Sequence, residues 1–143
     1  RILLVCAIVG IALSAHSILD FGAIEERTET EIAFANAESF RQAVLAANAS
    51  ATDKVALIPA GHRFWMMATF LEHIHNVEIV VDGTAVLSED FKNWPYRNDT
   101  THEDDASGCL DFWTIYDSQN ITIRGHGKVD GLGYSWWWRE YFQ

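Results

Sequence analysis

The chain has 143 residues, of which 20 are Asp or Glu and 10 are Lys or Arg, so its formal net charge is −10 at neutral pH. That length suits one domain with an adequate core, and that charge excludes nucleic acid and an anionic membrane surface as natural partners. A polyanionic ligand is repelled too, unless the surface that meets it carries local basic groups.

Both ends read as truncated. The chain starts with Arg1 rather than Met and stops at Tyr141-Phe142-Gln143, directly after Trp136-Trp137-Trp138, whereas natural C-termini are more often polar and frayed. Residues 1–17 read as a signal peptide. Arg1 is a remnant of a basic start, Ile2 to Leu13 is unbroken and apolar, and Ala15-His16-Ser17 puts small residues at the −3 and −1 positions of a cleavage site. A membrane anchor and a buried strand are the alternatives, but the run falls short of the roughly 20 apolar residues that cross a bilayer. The expectation is an exported protein, residues 18–143, with no membrane contact after cleavage. Cys6 leaves with the leader, and Cys109 remains as a lone thiol that needs a partner elsewhere, further along the chain. Asn48, Asn98 and Asn120 open N-x-[ST] tripeptides and are the candidate glycosylation sites.

Asp20-Phe21-Gly22-Ala23 begins the mature region, and the Glu/Thr-rich run from Glu25 to Glu31 reads as a solvated loop. Asn36 is placed to cap a helix from Ala37 to about Ala47, in which Phe40, Ala43, Val44 and Ala47 share one face. From Val55 the period changes. Short runs at Val55–Ile58, Phe64–Phe70, Val77–Val81, Ala85–Leu87, Leu110–Tyr116 and Ile121–Ile123 are rich in β-branched and aromatic residues and end on Gly, Asn, Asp or Pro. One helix among so many strands argues against a doubly wound α/β fold.

Asn76-Val77-Glu78-Ile79 is echoed by Asn120-Ile121-Thr122-Ile123, each followed by a glycine turn, and Ser88 to Gly108 is a polar loop between them. The separation corresponds to about two coils of ordinary size. Repeated short strands with tight turns suit stacked coils, each burying its core against its neighbours. A sandwich or barrel is the competing fold and prefers longer strands with hairpin turns.

Four stretches resemble the pectin-lyase-like β-helices, and family 28 polygalacturonases in particular. Asp20-Phe21-Gly22-Ala23 with Ala37 to Val44 is similar to the family's opening. Val55 to Gly61 resembles its first strand and turn. Asn76 to Leu87 with Asp90-Phe91-Lys92-Asn93-Trp94-Pro95 looks like the family's strand, Gly-Thr turn and "DFxxWP" segment. Phe112-Trp113 through Asn120 to Ile123, then Gly125, Gly127, Asp130, Gly131, Gly133, Trp136 and Trp137, resemble its "NITIxGxGxIDGxGxxWW" motif. The resemblance implies an all-β fold, a right-handed parallel β-helix (solenoid) whose first coils are present here with an N-terminal capping α-helix. The four glycines are expected at sharp turns that need positive φ or close backbone approach, and Trp136-Trp137 either pack on a coil or line a groove.

The family hydrolyses polysaccharide with inversion, through two carboxylates about 6.5–9.5 Å apart. Its Asn-x-Asp, Asp-Asp, Gly-His-Gly and Arg-x-Lys motifs lie on later coils, and none can be assigned here. Gly125-His126-Gly127 matches one by letter, but it precedes the "IDG" turn and reads as a chance histidine. The acidic pair usual before the family's helix is replaced by the Glu/Thr run. No catalytic, cofactor or metal residue is assigned. His102 to Asp105 reads as a solvated acidic loop rather than a calcium site. His73 and His75 are two ligands without a third, and turn or cap roles suffice for Asp111, Asp117 and Asp130. The expectation is the N-terminal portion of a secreted polygalacturonase-type glycoside hydrolase, itself inactive, whose pectin-like substrate binds through later coils. The alternative is a non-catalytic β-helix that binds glycans or supports a surface.

Overall fold

The computed structural model describes residues 14–96 and 109–141, without the side chains of 139–141. Among the described residues nine strands form three sheets in which every strand pair is parallel. β1 (His16–Ser17), β2 (Val55–Ile58), β5 (His75–Val81) and β8 (Gln119–Arg124) make the first sheet in the order β1-β2-β5-β8. β3 (Arg63–Met66), β6 (Thr84–Leu87) and β9 (Lys128–Asp130) make the second. β4 (Thr69–Glu72) and β7 (Trp113–Tyr116) make the third. From β2 onward each strand pairs with the one three strands later, an arrangement consistent with a partial β-solenoid.

The strands form because their side chains alternate between a shared interior and the outside. Val77, Ile79 and Val81 point into the core with Ala56 and Ile58, and Ile121 and Ile123 continue the same rows by register. The second sheet adds Phe64, Met66 and Ala85. The apolar run from Phe64 to Phe70 breaks into two strands in different sheets. The corner falls at Met67 and Ala68, where the Met67 side chain is buried and its N–H donates to Ala33 O at 3.1 Å.

The two asparagines of the sequence echo lie in adjacent strands, so the step of 44 positions from one to the other makes one coil with an insertion rather than two coils. Asn120 Nδ2 donates to Asn76 Oδ1 at 2.8 Å. Both sit at positive φ, 56° and 54°, a region asparagine tolerates because its short amide can bond locally. The insertion is closed at its base by the antiparallel bridge Tyr96↔Cys109 and by Trp94, which is buried and donates from Nε1 to Leu110 O at 2.9 Å.

α1 runs over Thr30–Ala49, longer than the sequence suggests. The Glu/Thr run is not all loop: Thr30 and Glu31 are its first turn, and Thr30 Oγ1 donates to Asp90. Asn36 is not a cap. It lies fully buried within the helix, where Oδ1 accepts from Ile24 N at 2.7 Å and Nδ2 donates to Ile24 O and Trp65 O, both at 2.9 Å. A buried amide is tolerated only when so satisfied, and this one ties the helix to the entering chain and to β3. Phe40, Val44 and Ala47 then pack into the core, with Phe40 stacked 4.8 Å from Trp113. Truncating a buried phenylalanine to Ala typically costs about 3–5 kcal/mol.

A second helix, α2 (Gly133–Tyr141), follows β9, where the sequence suggests none. No helix among the described residues is long and apolar enough to cross a membrane. Residues 1–13 lie outside the described residues. His16 and Ser17, the end of the stretch read as a leader, form β1, and Ser17 caps a 3₁₀ turn over Ile18–Phe21 reciprocally with Asp20.

Candidate functional site

Three turns stack at one corner of the molecule. Gly61-His62 leads into β3, Asp82-Gly83 into β6 and Gly125-His126-Gly127 into β9. The stacking needs glycine at two of the resembled positions. A Cβ on Gly127 would lie 2.6 Å from Asp82 C and closer still to Gly83 O, and one on Gly125 would strike the Val81 backbone, with φ at +140° besides. The close approach is held by Gly127 N donating to Val81 O at 2.8 Å and Lys128 N to Gly83 O at 2.9 Å. Outside these turns lies a cleft of about 430 Å³, lined among others by His62, Arg63, Asp82, Thr84, His126 and Lys128.

Strand register gives the cleft its order. Arg63 is opposite Thr84 and Thr84 opposite Lys128, so the three form one column on neighbouring strands. Trp65, Val86 and Asp130 form the next. Most charges here are already engaged. His62 Nδ1 is 2.6 Å from Glu25 Oε2, and Asp82 Oδ1 accepts from His126 N at 3.0 Å. Lys128 Nζ donates to Asp130 Oδ2 at 2.7 Å, while Asp130 Oδ1 accepts from Leu132 N at 3.2 Å. The Lys128 bond first, then that backbone donor, hold the Asp130 carboxyl below its usual range, and the Arg63 charge adds to the effect.

Arg63 differs. Its guanidinium carbon lies 4.2 Å from the centroid of the Trp65 ring, and its Nε is buried without a hydrogen-bond acceptor. Among the described residues Arg27, Arg41 and Arg124 are each paired with a glutamate.

Of the residues singled out from sequence, Gly125 and Gly127 serve the turn as expected, whereas Gly131 and Gly133 do not. Nothing lies within 4 Å of a Cβ at either, and neither has positive φ; the left-handed residue there is Leu132. Asp130 has the expected turn role. Trp136 and Trp137 part company. Trp136 packs edge-on against Phe91 and Trp94 at 4.5 and 4.9 Å, while Trp137 is 62 % exposed beside exposed Tyr134 and Trp138.

His126 belongs to the cleft by its backbone, and its side chain is in solvent. His73 has positive φ and sits in the turn between β4 and β5 rather than in a strand. It bonds Asp117 at 2.9 Å, so Asp117 is engaged there. No group of three or more His, Cys, Asp or Glu able to hold a metal occurs among the described residues.

Asn48 uses its whole amide on the β4–β5 turn, accepting from His75 N at 2.8 Å and donating to His73 O at 3.3 Å. Asn120 is exposed in the asparagine pair. Cys109 is a free thiol, half-buried beside the Trp94 cluster. Asn98 and His102 to Asp105 lie outside the described residues.

Arg63, Thr84 and Lys128 were not picked out from sequence. They share no local motif, and only the pairing of β3, β6 and β9 aligns them. Comparison with family models, with curated proteins and with solved structures finds no match to this chain.

Proposed function

We propose that this chain is the N-terminal portion of a secreted right-handed parallel β-helix of polygalacturonase type, whose full-length form hydrolyses a pectin-like polysaccharide with inversion. The observation that carries the reading is where the resembled residues fall in the parallel stack. Asn76 and Asn120 form a rung between neighbouring strands, and Gly125 and Gly127 lie against the turn below. Both are what a coil-to-coil repeat requires of those residue types. The packing of α1 against β1, β2, β3, β4 and β5 supports its role as the cap of the first coil.

The acid and base are assigned to later coils. In the cleft described here Asp82 and Glu25 face His126 and His62, and Asp130 is bound by Lys128. Each of these carboxylates thus already has a turn or pairing role, and none is assigned as acid or base. The test uses the full-length secreted product and polygalacturonate. Release of reducing ends, with the first product of inverted anomeric configuration by NMR, supports the proposal. Retention on immobilised polysaccharide without new reducing ends replaces it with a glycan-binding β-helix. Neither activity on pectin-like nor on neutral polysaccharide refutes both.

A further inference from the structure

We propose that the secretory leader ends at Ser14, so that the Ser14–Ala15 peptide bond is the processing site and the mature protein begins Ala15-His16-Ser17. The inference rests on the secretion reading above and fixes where the leader is cut. Two bonds beyond the apolar run Ile2 to Leu13 have the small residues at −3 and −1 that a signal peptidase needs. One follows Ser17, with Ala15 at −3; the other follows Ser14, with Ala12 at −3. A third, after Ala12 with Gly10 at −3, falls inside the apolar run itself, ahead of the region where cleavage occurs.

The fold separates the first two. Burial begins at Ala15: Ser14 is exposed, Ala15, His16 and Ser17 are half-buried, and Ile18 is fully buried. His16 and Ser17 pair with Ala56 and Leu57 of β2, and Nε2 of His16 is closed off from solvent. Ser17 also organises the chain that follows. Its Oγ accepts from Leu19 N at 3.3 Å, and its own N–H donates to Asp20 Oδ2 at 3.2 Å, a reciprocal cap on the 3₁₀ turn. These residues belong to the folded body rather than to a leader.

Cutting after Ser17 removes all of this at once. β2 becomes an open four-residue edge, where a two-residue strand now blunts the sheet. Asp20 loses the Ser17 N–H, Ile18 is uncovered, and a charged ammonium is placed on a core residue. Cutting after Ser14 removes nothing that is packed, and the new ammonium, on Ala15, emerges where exposed Ser14 stood. The step is hydrolysis. The C–N bond between Ser14 and Ala15 breaks, the hydroxyl of one water joins the Ser14 carbonyl carbon, and its remaining hydrogen joins the Ala15 nitrogen.

The test is the N-terminal sequence of the full-length protein, made from its natural start in a eukaryotic secretory host and recovered from both medium and cells. The expected start, read by Edman degradation or mass spectrometry, is Ala15-His16-Ser17-Ile18. Ser14→Leu, which removes the small −1 residue, should abolish that start, whereas Ser17→Leu should leave it unchanged. A start at Ile18 or at Leu13 overturns the inference, and so does cleavage that Ser17→Leu blocks and Ser14→Leu does not. Those outcomes leave secretion standing. A product that stays uncut and inside the cells refutes the secretion reading, and the processing site with it.

Discussion

Replacing Gly127 by alanine tests whether the stacked turns hold the coils together. The new methyl group would lie 2.6 Å from Asp82 C and closer to Gly83 O, well inside van der Waals contact, and both obstacles are backbone. The upper turn must therefore lift away. Lifting it stretches two hydrogen bonds, Gly127 N to Val81 O at 2.8 Å and Lys128 N to Gly83 O at 2.9 Å. Losing two such bonds costs about 2 kcal/mol, and residual backbone strain adds about 1–3 kcal/mol. The sum, about 3–5 kcal/mol, is a large part of the 5–15 kcal/mol typical of a domain. Gly131→Ala is the matched control, since nothing lies within 4 Å of its Cβ and its φ is not positive. It should fall within about 0.5 kcal/mol of the parent, or gain slightly from a stiffer unfolded chain. Urea unfolding followed by tryptophan fluorescence separates the two, provided the slopes agree. A Gly127→Ala cost below about 1 kcal/mol, or one equal to that of Gly131→Ala, would refute the stacking argument.

Asn36→Ala should destabilise by about 2–4 kcal/mol, because it strips Ile24 and Trp65 of three hydrogen bonds inside the protein; an unchanged melting temperature would show that water replaces them. Pairing with Arg27 lowers the Glu29 carboxyl from 4.5 to about 2, and Arg41 and Arg124 lower Glu38 and Glu78 in the same direction. The native state thus binds fewer protons than the unfolded chain, so these pairs stabilise above about pH 4.5 and the benefit is lost as pH falls toward 2. All three pairs are solvent-exposed, so the effect is small; the urea midpoints of the parent and Glu29→Gln should converge as pH falls, and a constant gap counts against the pairing. β8 and β9 carry Ile123 and Val129 at 52 % and 46 % exposure on the last strands of their sheets. Such edges recruit further strands, so two copies of residues 18–143 taken alone should associate there with a concentration dependence seen in sedimentation and reduced by Ile123→Lys. A cooperative, strictly monomeric thermal transition would contradict this.

The strands were legible because their apolar runs end on turn-forming residues. The corner at Met67 and Ala68 was not, since no glycine or proline marks it and tertiary burial of Met67 makes the bend. Asn36 misled for a related reason. Asparagine before an apolar face looks like a cap, and only the arrival of Ile24 and Trp65 makes a buried amide affordable in mid-helix. α2 was hidden by Gly133 at its start and by its aromatic composition, both poor helix indicators. The glycine turns at 125 and 127 could be read, but the cleft beside them could not. Arg63, Thr84 and Lys128 become neighbours only through register.

The bridge between Tyr96 and Cys109 brings together the two sides of the insertion while β6 and β7 keep their partners below. The chain length between those two residues is therefore decoupled from the pitch of the stack. The Tyr96–Cys109 bridge and the Trp94 bond to Leu110 O thus act as a clasp that keeps β6 and β7 in register with their partners whatever the number of residues beyond it.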